Sequence, residues 1–271
     1  MTAVVVGGRM KRLIVGLVVL AGVLVGLDFG AAALAESAVS RQMREQIGLP
    51  DDPDVRINGF PFVTQALAGR YSSIDVTADR LQVGDLQEVE IVAQLRDVDA
   101  PLSEVLGSGP TSLRVAEADG TVRIGADDIE RLLGSVDKLR IESLDADALE
   151  AAVEDGADPS LADVDPDTVA RLVGTTAVLG EDTEVSAIVG LDLAEGLVRI
   201  VPRDVRIGGP DAAPLPESVQ SSLADRFTVE VDPGSLPLQV TPTELKAVDG
   251  VLEISGSTTD LLLGAPATTT G

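Results

Sequence analysis

The sequence predicts an α+β domain with an antiparallel sheet, preceded by one apolar helix at the N-terminus. Three observations lead to this prediction. An unbroken apolar run follows basic residues near the N-terminus, a period-two alternation of apolar and polar residues recurs through the rest of the chain, and short segments of helical period interrupt it. Strands and helices show no regular βαβ order, which favours a curved antiparallel sheet wrapped on helices.

The composition excludes several classes of site. The chain of 271 residues contains no cysteine, which rules out disulfides, thiolate metal sites and cysteine nucleophiles. It also contains no histidine, which removes the commonest metal ligand and the usual general base, and with it a Ser-His-Asp triad. We therefore expect no catalytic residues, no metal and no cofactor.

The net charge of -25 is concentrated after the apolar run. Arg9, Lys11 and Arg12 precede that run, so the remainder carries 17 basic residues (20 minus these three) against 45 acidic ones, or -28. Such a surface repels polyanions, and we expect no nucleic-acid partner.

The apolar run is Leu13–Leu27. The basic residues before it place the N-terminus in the cytoplasm and the rest of the chain outside. The run covers about 22 Å as a helix, which is short for a hydrocarbon core of about 30 Å and typical of a signal peptide, with Ala33-Leu34-Ala35 as a cleavage site. Apolar residues resume after Asp28, so a transmembrane anchor is the other interpretation, and we favour it because cleavage would remove the start of the next helix.

These boundaries divide the chain into four parts. They are a cytoplasmic basic N-terminus (1–12), a transmembrane anchor or signal segment (13–34), an extracytoplasmic domain (35–263) and a disordered tail (264–271). A long helix is predicted over Phe29–Ile47, since Ala35, Val39, Met43 and Ile47 recur four residues apart on one face.

Gly59–Tyr71 is the stretch that organises the domain. It holds Phe60, Phe62 and Tyr71 in a chain with four Phe, one Tyr and no Trp. Pro61 suits the first helical position and Gly69 the left-handed end, which predicts a two-turn helix followed directly by a strand. We expect Phe60 and Phe62 to be mostly buried.

Strands alternate along Ile74–Asp79 and Val89–Leu95, and three turn signals indicate hairpins. These are Asp119-Gly120, Asp249-Gly250 and, more weakly, Glu195-Gly196.

Short helices are predicted between the strands. They are Asp127–Leu133, Pro166–Val173 capped by Asp165, and Pro216–Arg226, with Phe227, Val229 and Val231 beginning a strand. Asp145–Pro166, rich in Asp, Glu, Ala and Pro, is predicted to be an acidic excursion on the surface.

Two segments carry a resemblance to a known family. Val55–Tyr71, with its Phe-Pro-Phe motif, and Leu236–Val240 followed by Leu245–Ile254 resemble the LmeA-like phospholipid-binding family of actinobacterial cell envelopes. The resemblance implies a tubular lipid-binding-like fold, in which a strongly curved antiparallel sheet wraps around a long N-terminal helix with an apolar channel between them. It also implies that the protein binds a phospholipid or glycolipid of the phosphatidylinositol type. The location implied is the periplasm, at a membrane.

The lipid-binding residues that follow from this interpretation are Phe60, Phe62, Val63, Leu67, Arg70, Tyr71, Met43 and Ile47. Arg70 has two interpretations. Its guanidinium pairs with a nearby carboxylate, Asp75 or Asp79, or it holds a lipid phosphate at the channel mouth.

Three functions compete. Non-enzymatic binding or shuttling of phospholipid or glycolipid in the envelope is the first, and a structural or assembly protein with no lipid ligand is the second. The third is a carboxylate enzyme such as a glycoside hydrolase, which needs only two acids about 5–10 Å apart. The absence of Trp leaves little to stack against sugar rings, and we predict a protein that is not an enzyme.

Overall fold

A computed structural model of the chain describes residues 6–101, 113–178, 181–194, 197–208, 228–231 and 242–263. Within these residues the α+β class is confirmed, with two antiparallel sheets in place of the single one expected. The helices are α1 (Val6–Ile47), α2 (Phe62–Ala68), α3 (Ala126–Leu133) and α4 (Ala146–Glu154). The strands are β1 (Asp54–Asn58), β2 (Arg70–Val83), β3 (Leu86–Asp99), β4 (Leu113–Gly125), β5 (Asp137–Ser143), β6 (Val169–Val178), β7 (Glu181–Ala194), β8 (Leu197–Ile207), β9 (Val229–Val231), β10 (Pro242–Val248) and β11 (Val251–Leu263).

The first sheet has the strand order β1-β2-β3-β4-β11-β10, and the second has the order β5-β6-β7-β8-β9. Within the described strands neither sheet closes on itself, so the strong curvature stays a prediction. The packing partners of α1 include α2 and β1, which is an edge strand. A sheet wrapped around α1 also stays a prediction.

The chain divides into two compact units. Unit 1 comprises Met1–Val76, Gln94–Glu117 and Asp260–Gly271, and unit 2 comprises Thr77–Ala93 and Ala118–Thr259. In unit 2, residues of both sheets and of α3 form one aliphatic core, as the scarcity of aromatic residues requires. Its largest fully buried members include Leu86, Ile124, Ile129, Leu172, Ile200, Leu252 and Ile254.

The apolar segment and the helix predicted after it form one continuous helix, α1. No proline interrupts it, and it ends where Gly48 adopts a φ of 75° and donates its N–H to the Arg44 carbonyl at 2.9 Å. On the predicted face Ala35 is buried and Met43 is half-buried, while the side chain of Ile47 lies outside the described part. By length and composition, Met10–Glu45 can cross a membrane.

The Asp-Gly signals have different outcomes. Asp249-Gly250 joins β10 to β11 with Val248 paired to Val251 and both turn residues at positive φ, as predicted. Asp119-Gly120 is wrong as a turn, because both residues lie inside β4. β4 has β3 on one side and β11 on the other, and this pairing outweighs a local turn preference. Glu195-Gly196 lies outside the described residues, although Ala194 and Leu197 on either side pair as in a hairpin.

The helix at Ala126–Leu133 is confirmed, with Gly134 in the left-handed conformation at its end. The predicted helix Pro166–Val173 is wrong. Asp165 does cap a short 3-10 turn, Pro166–Thr168, but β6 then begins at Val169, where β5 and β7 supply strand partners. Pro216–Arg226, Phe227 and the tail 264–271 lie outside the described residues.

The acidic stretch Asp145–Pro166 is folded, which corrects the expectation of a surface excursion. It forms α4, whose N-cap Asp145 accepts the Ala148 N–H at 2.8 Å, and a 3-10 helix at Pro159–Asp163. The apolar residues between its acids pack into a separate buried cluster of unit 2, formed by Leu144, Leu149, Ala152, Ala157, Leu161, Val169 and Ile188. Its acids face solvent while its small aliphatic residues fill that cluster.

Candidate functional site

The Phe-Pro-Phe stretch is attached to α1 by one carboxylate. Asp28 is 6% exposed, and its Oδ2 and Oδ1 accept the backbone N–H groups of Phe62 at 2.8 Å and Val63 at 2.9 Å. Pro61 is the N-cap residue and offers no side-chain acceptor, so Asp28 supplies the missing cap from 34 residues earlier in the chain. The negative charge also lies at the positive end of the α2 dipole.

Two further polar residues of α1 bond to β1 and to the residue just before it. Glu36 accepts the N–H of Ile57 at 2.8 Å, and Ser40 donates its hydroxyl to the Pro53 carbonyl at 2.6 Å. Together with Asp28, three side chains of α1 therefore form hydrogen bonds with the segment that contains β1 and the start of α2. This segment of α1 is therefore part of the fold of unit 1.

Two glycines flank α2, and each has a neighbouring group close to where a side chain would lie. Gly59 has a φ of 105°, and a Cβ there would lie 2.8 Å from the Gln65 side chain. Gly69 has a φ of 64° and ends α2, with its carbonyl accepting the Ala100 N–H at 2.8 Å. A side chain at either position would strain the backbone, so the predicted stop at Gly69 is confirmed.

The aromatic residues of the motif divide between two environments. Phe62 is 5% exposed and packs on Tyr71, which is 2% exposed, with ring centroids 6.4 Å apart. Phe60 is 60% exposed, so the expectation that it is buried is wrong, whereas that for Phe62 is confirmed. The ring of Phe60 stacks instead on Phe29 of α1 at 6.1 Å.

The outer side of α2 exposes two large apolar side chains beside the polar Thr64. Val63 and Leu67 are both exposed, Leu67 to 83%, and they continue the exposed surface that Phe60 and Phe29 begin. Phe62 and Ala66 form the buried face of α2, which explains why Val63 and Leu67 point away from the interior. The structure therefore brings three of the predicted lipid contacts together on the surface of unit 1.

Arg70 is exposed at the first position of β2. The predicted ion pair with Asp75 or Asp79 is wrong, because within the described part of the chain Arg70 makes no salt bridge. Asp75 instead accepts hydrogen bonds from Asn58 Nδ2 at 2.7 Å and from Gln94 Nε2 at 3.2 Å.

The Tyr71 hydroxyl is buried and has no hydrogen-bond partner among the residues that the structure describes. Burial raises the pKa of this hydroxyl above its ordinary value of 10.0 because the phenolate would lose its hydration. Tyr71 thus belongs to the packed interior of unit 1.

Sequence reasoning missed Asp28 and Phe29 as members of this site. The available signal was a single carboxylate in an otherwise apolar stretch, since a buried acid needs partners. No group of acidic residues suited to a metal ion occurs within the described ranges.

Of three comparisons with known proteins, one gives a match. One protein family, described as LmeA-like phospholipid-binding, matches residues 26–257, a range that starts just before Asp28 and includes α2. Neither the curated proteins nor the solved structures contain a match to the chain.

Proposed function

We propose, since the chain belongs to the LmeA-like phospholipid-binding family, that it is a non-enzymatic protein that binds or shuttles phospholipid or glycolipid in the cell envelope. The membrane anchor in this proposal is α1, which holds the folded domain on the extracytoplasmic, periplasmic side of the cytoplasmic membrane. The basic residues Arg9, Lys11 and Arg12 before the apolar run support this orientation.

The observation that carries the proposal is the position of Arg70 next to an exposed apolar face. Arg70 follows Leu67 by three residues, across the turn that ends α2. A phospholipid presents an anionic phosphate beside apolar acyl chains. The guanidinium of Arg70 suits the phosphate, and the exposed apolar side chains suit the acyl chains. A guanidinium can hold a phosphate through two parallel hydrogen bonds, which a lysine ammonium cannot do.

Retention of α1 is part of the proposal. Cleavage after Ala35 would remove Asp28 and leave the N–H groups of Phe62 and Val63 without their acceptor. The mass of the protein isolated from membranes should therefore include α1. A mature chain that begins at Glu36 would contradict the anchor.

The buried pair Phe62 and Tyr71 is assigned to packing, with Phe60, Val63, Leu67 and Arg70 as the lipid contacts. The half-buried Met43 on α1 is retained as a proposed contact, together with Ile47. An apolar channel between α1 and the sheet stays a prediction.

The experiment compares lipid binding by the full chain and its variants. Native mass spectrometry of protein purified from membranes should show co-purified lipid, and vesicles containing phosphatidylinositol should bind more tightly than those of phosphatidylcholine alone. A charge-assisted hydrogen bond contributes about 1.5–3 kcal/mol, so Arg70→Ala should weaken anionic-lipid binding about tenfold to a hundredfold. Arg70→Lys should restore only part of this loss.

The matched control is Arg56→Ala, because Arg56 is also an exposed arginine of unit 1. This change should leave binding to both kinds of vesicle unaltered. A folded Arg70→Ala protein with unchanged preference for anionic lipid would contradict the phosphate contact. A wild-type protein that carries no lipid and binds none would favour a structural or assembly role.

A further inference from the structure

The exposed apolar surface of α2 lies beside the end of the apolar run of α1. Phe29 is two residues past Leu27, where the run ends, and its ring contacts that of Phe60. Phe60 is therefore continuous with the exposed side chains of α1, and Val63 and Leu67 are exposed on the helix that follows it. A surface of this kind, formed by aromatic and aliphatic side chains, marks a contact site.

The level of this surface relative to a bilayer follows from helix geometry. A hydrocarbon core of about 30 Å takes up about 20 helical residues, so a span that starts at Leu13 ends near Ala32. Phe29 then lies in the last turn of the span, at the interface on the side of the folded domain. Its contact with Phe60 brings the start of α2 to the same depth.

The chemistry of the surface suits the boundary between lipid headgroups and acyl chains. Helices that lie in that boundary insert an apolar face of Phe and Leu side chains to this depth. Gly59–Tyr71 contains no acidic residue, although Asp and Glu make up 45 of the 271 residues of the chain. The only carboxylate of the adjoining α1 turn, Asp28, is buried and occupied by the two N–H groups of α2.

We propose that Phe29, Phe60, Val63 and Leu67 form a membrane-contact surface that lies in the headgroup–acyl boundary of the bilayer that α1 spans. This inference rests on the proposed anchoring by α1 and adds the depth of α2 to it. It places Arg70, at the other end of α2, close to the level of lipid phosphates. The surface would thus hold unit 1 where a phospholipid leaves or enters the membrane.

The test uses tryptophan as a depth probe, because the chain has no Trp of its own. Single variants Phe60→Trp and Leu67→Trp of the full chain are reconstituted in phosphatidylcholine vesicles. The lipids carry bromine near either the carbonyl end or the methyl end of the acyl chain. We expect emission at short wavelength and stronger quenching by bromine near the carbonyl end.

Two control variants separate the possible failures. Val23→Trp, near the middle of the α1 span, should be quenched most by bromine near the methyl end. Gln82→Trp, at an exposed polar position of β2 in unit 2, should emit as in water and resist both quenchers. Loss of deep quenching at Val23 would overturn the anchor and this inference together.

Deep quenching at Val23 with water-like emission at Phe60 and Leu67 would overturn the contact surface alone. Short-wavelength emission at Phe60 and Leu67 without quenching by either lipid would also overturn it, because protein, such as a second copy of the chain, would then cover the surface. Leu67→Trp decides the result if Phe60→Trp does not fold, since Leu67 has almost no packing to lose.

Discussion

Removing the carboxylate of Asp28 should release α2 from α1. In Asp28→Ala the buried N–H of Phe62 loses its acceptor, which costs about 1–3 kcal/mol. The N–H of Val63 is only partly buried and can turn to water, so its loss adds about 0.5–1 kcal/mol. The free energy of local unfolding of α2 should fall by about 1.5–4 kcal/mol in total. Asp28→Asn keeps one acceptor oxygen and should lose about half of this.

Amide hydrogen exchange of the full chain in lipid nanodiscs measures this local unfolding directly. Each 1.4 kcal/mol corresponds to a factor of ten, so the amides of Phe62–Ala68 should exchange about tenfold to several hundredfold faster in Asp28→Ala. Peptides from β7, in the core of unit 2, should keep their rates and provide an internal reference.

The matched control is Asp79→Ala. The side chain of Asp79 is exposed and forms no hydrogen bond or ion pair with another residue of the described ranges, so this change should leave exchange in α2 unaltered. Unchanged exchange of α2 in Asp28→Ala would refute the capping role. An equal acceleration in β7 would refute the local character of the effect.

Two more predictions concern the aromatic residues. Phe62→Ala should lower the free energy of unfolding by about 3–5 kcal/mol because Phe62 is buried against Tyr71. Phe60→Ala in detergent should lower it by less than about 1 kcal/mol because Phe60 is exposed. Urea titrations followed by circular dichroism measure both values, and equal losses would contradict the assigned environments. The raised pKa of Tyr71 means that its contribution to stability is complete below pH 10.0, the ordinary value, and is lost as the pH rises through the higher folded value. Phenolate absorbance should therefore appear only above the ordinary pKa of 10.0 and together with unfolding. Tyr71→Phe removes a hydroxyl without a described partner, so it should preserve stability and abolish this alkaline step. Phenolate formation at pH 10 in a folded chain would contradict the raised pKa of Tyr71.

Local signals predicted the elements whose causes are local. The apolar α1, the left-handed stop at Gly69, the helix that ends before Gly134 and the Asp249-Gly250 turn each depend on residues within one or two turns of the chain. Asp119-Gly120 failed because a turn preference is small compared with the strand pairing that β3 and β11 supply on either side. The start of β6 at Val169, in place of a helix, has the same cause.

For the site, the sequence by itself determined which residues stand close together in the chain. The aromatic residues of Gly59–Tyr71, the helix between them and the presence of one arginine follow from order and composition alone. Tertiary structure decided which of them face inward. Phe62, in the first turn of α2, packs on Tyr71, whereas Phe60, which precedes the helix, stacks on Phe29 of α1. The orientation of so short a helix is fixed only by its packing partners.

The role of Asp28 depended on tertiary structure most of all. Its partners lie 34 and 35 residues away, and no spacing rule connects an acid in an apolar helix to the N-terminus of a distant two-turn helix. The requirement that a buried carboxylate be hydrogen-bonded is general, but the donors that meet it exist only once α1 and α2 have packed together. The sequence therefore determined that Asp28 needed partners, and the fold alone determined which ones.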